Sequence, residues 1–266
     1  MASWAVAAIA FACMFTGAMG AMALARFLPA HHVSKETQDA VKLGVGMIAA
    51  MASLILGLMT ASVKGNFDTT DRDVHTYATY ILGLDASLRH YGPETAVART
   101  LLDDYGRAVI NETWDGTPNL PTLRRPESSE VLLGNLETAV RQLAPSTPEA
   151  QELRPEALAR LNAIITTRWS VLEESTAAIP TIFIVVLVIW LTLIFASFGL
   201  FAPANAISIV ALTLCSASIG GALFLILEMS GPFDGFIAVS PKPMQDALVS
   251  IERFPIPTAP AKPAAQ

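Results

Sequence analysis

The chain is 266 residues long, 53% hydrophobic and 15% charged, with a formal charge of −6. That acidic balance excludes the basic footprint on which nucleic-acid binding depends. The two cysteines, Cys13 and Cys215, have no CxxC or metal-ligand spacing; they supply no disulfide framework and read as small packing residues.

The first segment, Ala2 to Ala25, has no Asp, Glu, Lys, Arg or His and exceeds the ~20 residues needed to cross a bilayer. It lacks a basic n-region, its apolar stretch is longer than the ~7–15 residues of a signal peptide, and Arg26 follows its far end. A retained membrane helix is expected. Cys13, Gly17, Ala21 and Ala25 fall four apart, a row that lets helix backbones approach closely. In the following loop, Arg26 to Lys42, His32 and Glu36 share a helical spacing but lack a third ligand, so no metal is expected there. A second uncharged span runs from Leu43 to Val63, with Ser53, Gly57 and Ala61 four apart. Ser53, Gly57 and Thr60 are its candidates for lining a pore or packing against another helix.

The polar segment from Lys64 to Thr176 holds 17 of the 23 acidic residues and 11 of the 17 basic ones, so it accounts for the whole net charge. Val74, Tyr77, Ile81, Leu84, Leu88 and Tyr91 lie on one helical stripe, with a cap expected at Asp68, Thr69 or Thr70 and an end at Gly92-Pro93. A second helix carries Ala98, Leu101, Tyr105 and Ala108, and a loop from Trp114 through Pro126 follows it. A third helix starts after Ser128, with Leu133, Leu136, Val140 and Leu143 in register. The fourth is capped by Thr147 with Pro148 at its first position, is expected to kink or restart at Pro155, and carries Leu158, Leu161, Ile165 and Leu172 as its inward stripe. Four such stripes predict an antiparallel helical bundle standing outside the membrane.

Ser175 to Leu227 is an uncharged run of 53 residues, broken only by Ala202-Pro203-Ala204-Asn205. As one helix it would reach roughly 80 Å, against a ~30 Å hydrocarbon core, so it must fold back as two spans. Ser216 with Gly220 and Ala217 with Gly221 form small-residue pairs in the last span, whereas Ile182 to Ile189 is nearly all bulky. The expectation is that the first, second and fourth spans form the interior and the third lies outermost. Sidedness stays open: the three basic residues between Arg26 and Lys42 favour a cytoplasmic loop there, while Lys64, Arg72, Arg160, Arg168 and Lys242 weigh the other way. Four spans place the N-terminus, the bundle and the C-terminal tail on one side.

Chemistry is sparsely marked. There is no Gly-rich phosphate loop, GxSxG elbow or HExxH element, so neither an enzyme nor a cofactor is expected. Glu228 abuts the apolar part of the last span, just before a Gly231-Pro232 turn. A carboxylate at that depth either reaches the headgroups or serves a pore mouth or interhelix contact.

Several motifs together resemble the bacterial bestrophin-like membrane family: Leu28-Pro29-Ala30-His31-His32 with Thr37, Leu56-Gly57-Leu58, Leu84-Asp85, Tyr91-Gly92-Pro93-Glu94, and a closing turn of Pro232, Phe233, Gly235 and Val239-Ser240-Pro241. The resemblance implies four membrane helices, a cytoplasmic helical region between the second and third, a pore along the second span, and a homo-oligomer that passes ions, since bestrophins are oligomeric anion channels. An acidic calcium-clasp run and the aromatic-rich neck of true bestrophins are lacking.

The expectation is therefore an all-α, multi-pass inner-membrane protein whose partners are the lipid bilayer, further copies of itself and ions. Its segments are 1–63 with two membrane helices (about 2–25 and 43–63), a bundle at 64–176, two more membrane helices at 177–228 (about 178–201 and 206–228), and a C-terminal segment at 229–266 with a Pro-rich tail. A non-conducting scaffold or sensor, whose bundle binds a protein through loops at Trp114 and Arg124-Arg125, is the alternative.

Overall fold

A computed structural model of the chain describes residues 3–27, 35–114, 128–175 and 179–254, and among these every regular element is helical. The helices are α1 (Ser3–Ala25), α2 (Lys35–Tyr91), α3 (Ala96–Thr113), α4 (Ser129–Arg141), α5 (Pro148–Ser175), α6 (Thr181–Phe201), α7 (Ala206–Met229) and α8 (Lys242–Glu252). Four of them, α1, α2, α6 and α7, are long and apolar enough to cross a membrane. The chain divides into two compact units, one of residues 1–67 and 177–237 and the other of 68–176 and 238–266.

In the first unit α1 packs against both α6 and α7. Ala10, Met14, Ala18 and Met22 recur every four residues on α1 and are buried with Leu187, Leu191, Ile194 and Phe195 of α6 and Leu212 and Leu223 of α7. Lipid tails are as apolar as these side chains, so close packing rather than water exclusion holds the contact. Gly199 is the clearest case, because a Cβ there would collide with the Ala18 backbone carbonyl. At Gly220 a Cβ would sit 3.5 Å from the Ala7 carbonyl oxygen, which brings α1 and α7 together along the Ser216–Gly220 face.

This corrects the expected arrangement of spans. The bulky third span, α6, is not outermost within the protomer but supplies as many of the buried core residues as α1, four each, while α2 touches the core chiefly through Ala52, with Val45, Ile48, Ala49, Leu56 and Met59 half-buried beside it. Bulky residues fill the spaces that small α1 residues leave open, as Thr192 does at Gly17. The fold-back between α6 and α7 is closed by Asn205, whose Oδ1 accepts the Ser208 N–H at 2.8 Å and so caps α7.

The second unit is built on buried stripes. Val74, Tyr77, Ile81, Leu84, Leu88 and Tyr91 are all buried, as are Ala98, Leu101, Tyr105 and Ala108, and Leu133, Leu136, Val140 and Leu143. No cap forms at Asp68, Thr69 or Thr70; α2 runs uninterrupted for 57 residues, roughly 85 Å, because its scattered glycines each cost only about 1 kcal/mol and no proline intervenes. At its end Gly92 takes φ 127°, and the Thr95 hydroxyl donates to the Leu88 and Gly92 carbonyls at 2.6 and 2.7 Å, so this residue closes α2 as it opens α3.

Thr147 Oγ1 accepts the Ala150 N–H at 3.1 Å, capping α5, which then continues through Pro155 without a restart. Its inward stripe is Ala157, Leu161, Ile164 and Val171; of the expected residues only Leu161 is buried, Leu158 and Ile165 are half-buried and Leu172 is exposed. The C-terminal segment is not a mere tail. Met244, Ala247, Leu248 and Ile251 of α8 are buried in this unit, with Leu248 seated over Gly106 of α3.

Candidate functional site

An exposed face of α2 contains the residues marked from sequence. Ser53, Gly57 and Thr60 are exposed in the protomer, and a Cβ at Gly57 would meet nothing within 4 Å. Thr60 donates its hydroxyl to the Leu56 carbonyl at 2.8 Å, so the helix itself satisfies that polar group. Along the same face lie Gly46 and Ala50 above them and Lys64 below, all exposed, forming one stripe of small or polar residues.

Glu228 closes α7 and is only 7% exposed. Its Oε1 accepts the Phe236 N–H at 2.5 Å, bending residues 231–236 back over the helix end. Gly235 has φ 86°, in the left-handed region, and a Cβ there would collide with the same carboxylate. Pro232 is buried and Phe233 half-buried, while the Pro241 carbonyl accepts the Gln245 N–H at 3.0 Å and starts α8. The turn residues and the membrane-boundary acid thus cooperate in shaping the chain after the last span.

Other polar groups converge where sequence spacing could not show it. Asp85, on α2, is buried and accepts the Arg99 Nε at 2.7 Å and the Arg89 Nε at 2.9 Å; Arg99 also donates to the Phe254 carbonyl at 2.9 Å. On α3, Arg107 pairs with Asp103 at 3.2 Å and with Glu252 of α8. The hydroxyls of Tyr77 and Tyr105 bond each other, and Arg168 lies over the Tyr105 ring and donates to Ser129 at 2.8 Å, which in turn bonds Glu112. Burial pushes the Tyr105 hydroxyl above its ordinary pKa. These clusters tie the helices of the second unit together. Of the sequence, only Leu84-Asp85 among the quoted motifs pointed to any of them.

Trp114 was expected on an exposed loop, but it is buried and its indole N–H donates to the Val239 carbonyl at 2.7 Å. Arg124 and Arg125 lie outside the described residues, as do His31 and His32. No group of His, Cys, Asp and Glu fit to hold a metal occurs among the described residues.

The sequence matches the family described as Bestrophin-like domain over residues 12–244. The fold is similar to the crystal structure of a mutant bacterial bestrophin homologue from Klebsiella pneumoniae, with a TM-score of 0.60 and 13% identity over 92% of this chain and 96% of that one. At that identity the likeness is one of fold. No curated protein matches the chain.

Proposed function

We propose that this chain, which belongs to the bestrophin-like domain family, is one subunit of a homo-oligomeric ion pathway in the inner membrane. The observation that carries the reading is the exposed face of α2, little covered by the other described residues. Only 11% of its most apolar stretch is buried, against 28% for each of the other three candidate spans. A helix that is apolar, long enough to span, rich in small residues and left open in the protomer is the element best placed to meet other copies and to line a route between them. Bestrophins are oligomeric anion channels, and the proposal carries that property to this family member. Ser53, Gly57 and Thr60 are the proposed lining residues, the charged helices between the second and third spans are proposed as an extramembrane bundle, and no catalytic role is assigned.

Purified full-length protein, sized by native mass spectrometry and reconstituted into liposomes, tests the reading. The expectation is a discrete oligomer with ion flux, and a Gly57→Leu protein that inserts and folds normally but loses about tenfold or more of that flux. A monodisperse monomer without flux would remove the proposal.

A further inference from the structure

We infer that Lys42 and Lys64, one at each end of the small-residue line on α2, are the residues that set the charge of the crossing ion, favouring anions. The inference rests on the ion pathway proposed above and assigns its selectivity to named side chains. At about 100° per residue, Lys42, Gly46, Ser53, Thr60 and Lys64 fall within about 20° of one line along the helix, and Gly57 within about 40°. All six are exposed. The bulky residues Leu43, Met47, Leu54 and Leu58 are exposed too, but they lie about 80–140° round the helix from that line. Beyond its buried side, α2 thus shows two surfaces: a broad apolar one suited to lipid tails, and a narrow one whose small side chains leave room for an ion.

The two lysines are the first charges on either side of the uncharged stretch from Leu43 to Val63. Along the axis they are about 33 Å apart, close to one ~30 Å hydrocarbon core. A lysine that only snorkels to the headgroups needs to be near a span end but needs no particular face. Both lysines instead share the narrow line with Ser53 and Thr60. Symmetry-related copies would repeat each of them around the route as a ring, and rings of Lys or Arg favour anions. The acids Asp39 and Asp68 lie about one turn beyond the lysines, outside the apolar length. A charge at the edge of the low-dielectric stretch acts on an ion more strongly than one screened by water a turn further out.

Reversal potentials of the full-length protein in planar bilayers under a KCl gradient test this, with oligomer size checked by native mass spectrometry. The parent should favour Cl⁻ over K⁺. Lys42→Gln and Lys64→Gln combined should lower that permeability ratio by about threefold or more, whereas Lys42→Arg with Lys64→Arg should keep it. Both sites are exposed, so neither change removes a buried contact. A parent that favours K⁺, or a current whose ratio is the same in the Gln protein as in the parent, would overturn the inference and leave the ion pathway standing. Absence of any current in the parent would remove both.

Discussion

The two parts of α2 are one continuous helix, yet they behave oppositely. Between residues 43 and 63 only Ala52 and Val63 are buried, and Leu43, Met47, Leu54 and Leu58 are all more than 60% exposed. Between 74 and 91 the side chains of Val74, Tyr77, Ile81, Leu84, Leu88 and Tyr91 are buried, together with the charged Asp85. The more apolar part is thus the more exposed one. Hydropathy tells whether a side chain avoids water; burial within the protomer depends on whether another helix is shaped to meet it. The first part leaves its apolar surface open in the protomer, as suits a helix in a lipid bilayer, and the second part has its partners in the same chain.

Substitutions on α2 can break this contrast. The largest effect is expected from Asp85→Ala, which strips Arg99 of its buried carboxylate and leaves the guanidinium with only the Phe254 carbonyl. Breaking such a pair costs about 3–5 kcal/mol, readable as a fall in the denaturant midpoint. Next comes a matched pair of leucines. Leu84→Ala empties a fully buried position and should cost about 2–5 kcal/mol, whereas Leu58→Ala, at a site 63% exposed, should change protomer stability by less than about 0.5 kcal/mol. Equal losses at the two sites would dissolve the contrast.

Gly57→Ala is smaller still and sharpens the comparison. Nothing lies within 4 Å of the added methyl, so the protomer should gain up to about 1 kcal/mol from helix propensity. A weakened oligomer with an unharmed protomer would place a subunit contact at Gly57. The smallest effect concerns the second unit, where burial first and then Asp73 push the Glu174 carboxyl above its ordinary pKa. A raised folded-state value means that stability is fullest while the group is protonated and falls as pH rises through the carboxylate range. Glu174→Gln keeps an acceptor for the Thr70 hydroxyl and should flatten that slope in melting curves recorded from about pH 4 to about pH 7.

The four apolar helices, the fold-back at Ala202-Pro203-Ala204-Asn205, the caps at Ser128 and Thr147, and the stripes from Val74 to Tyr91 and from Leu133 to Leu143 were legible in the amino-acid sequence. Each follows from spacing within a few residues, because helical periodicity, capping and chain reversal are local. Only the tertiary structure decided that α6 rather than α2 packs on α1, that α5 turns Ile164 instead of Ile165 inward, and that α2 passes Asp68 without a break. It also decided that Trp114 reaches Val239, 125 residues away, and that Asp85 holds an arginine from another helix. Such pairings depend on how whole surfaces fit, and the same apolar stripe can satisfy itself against several partners. Sequence periodicity therefore identifies the face that needs covering, and shape complementarity between distant segments selects what covers it.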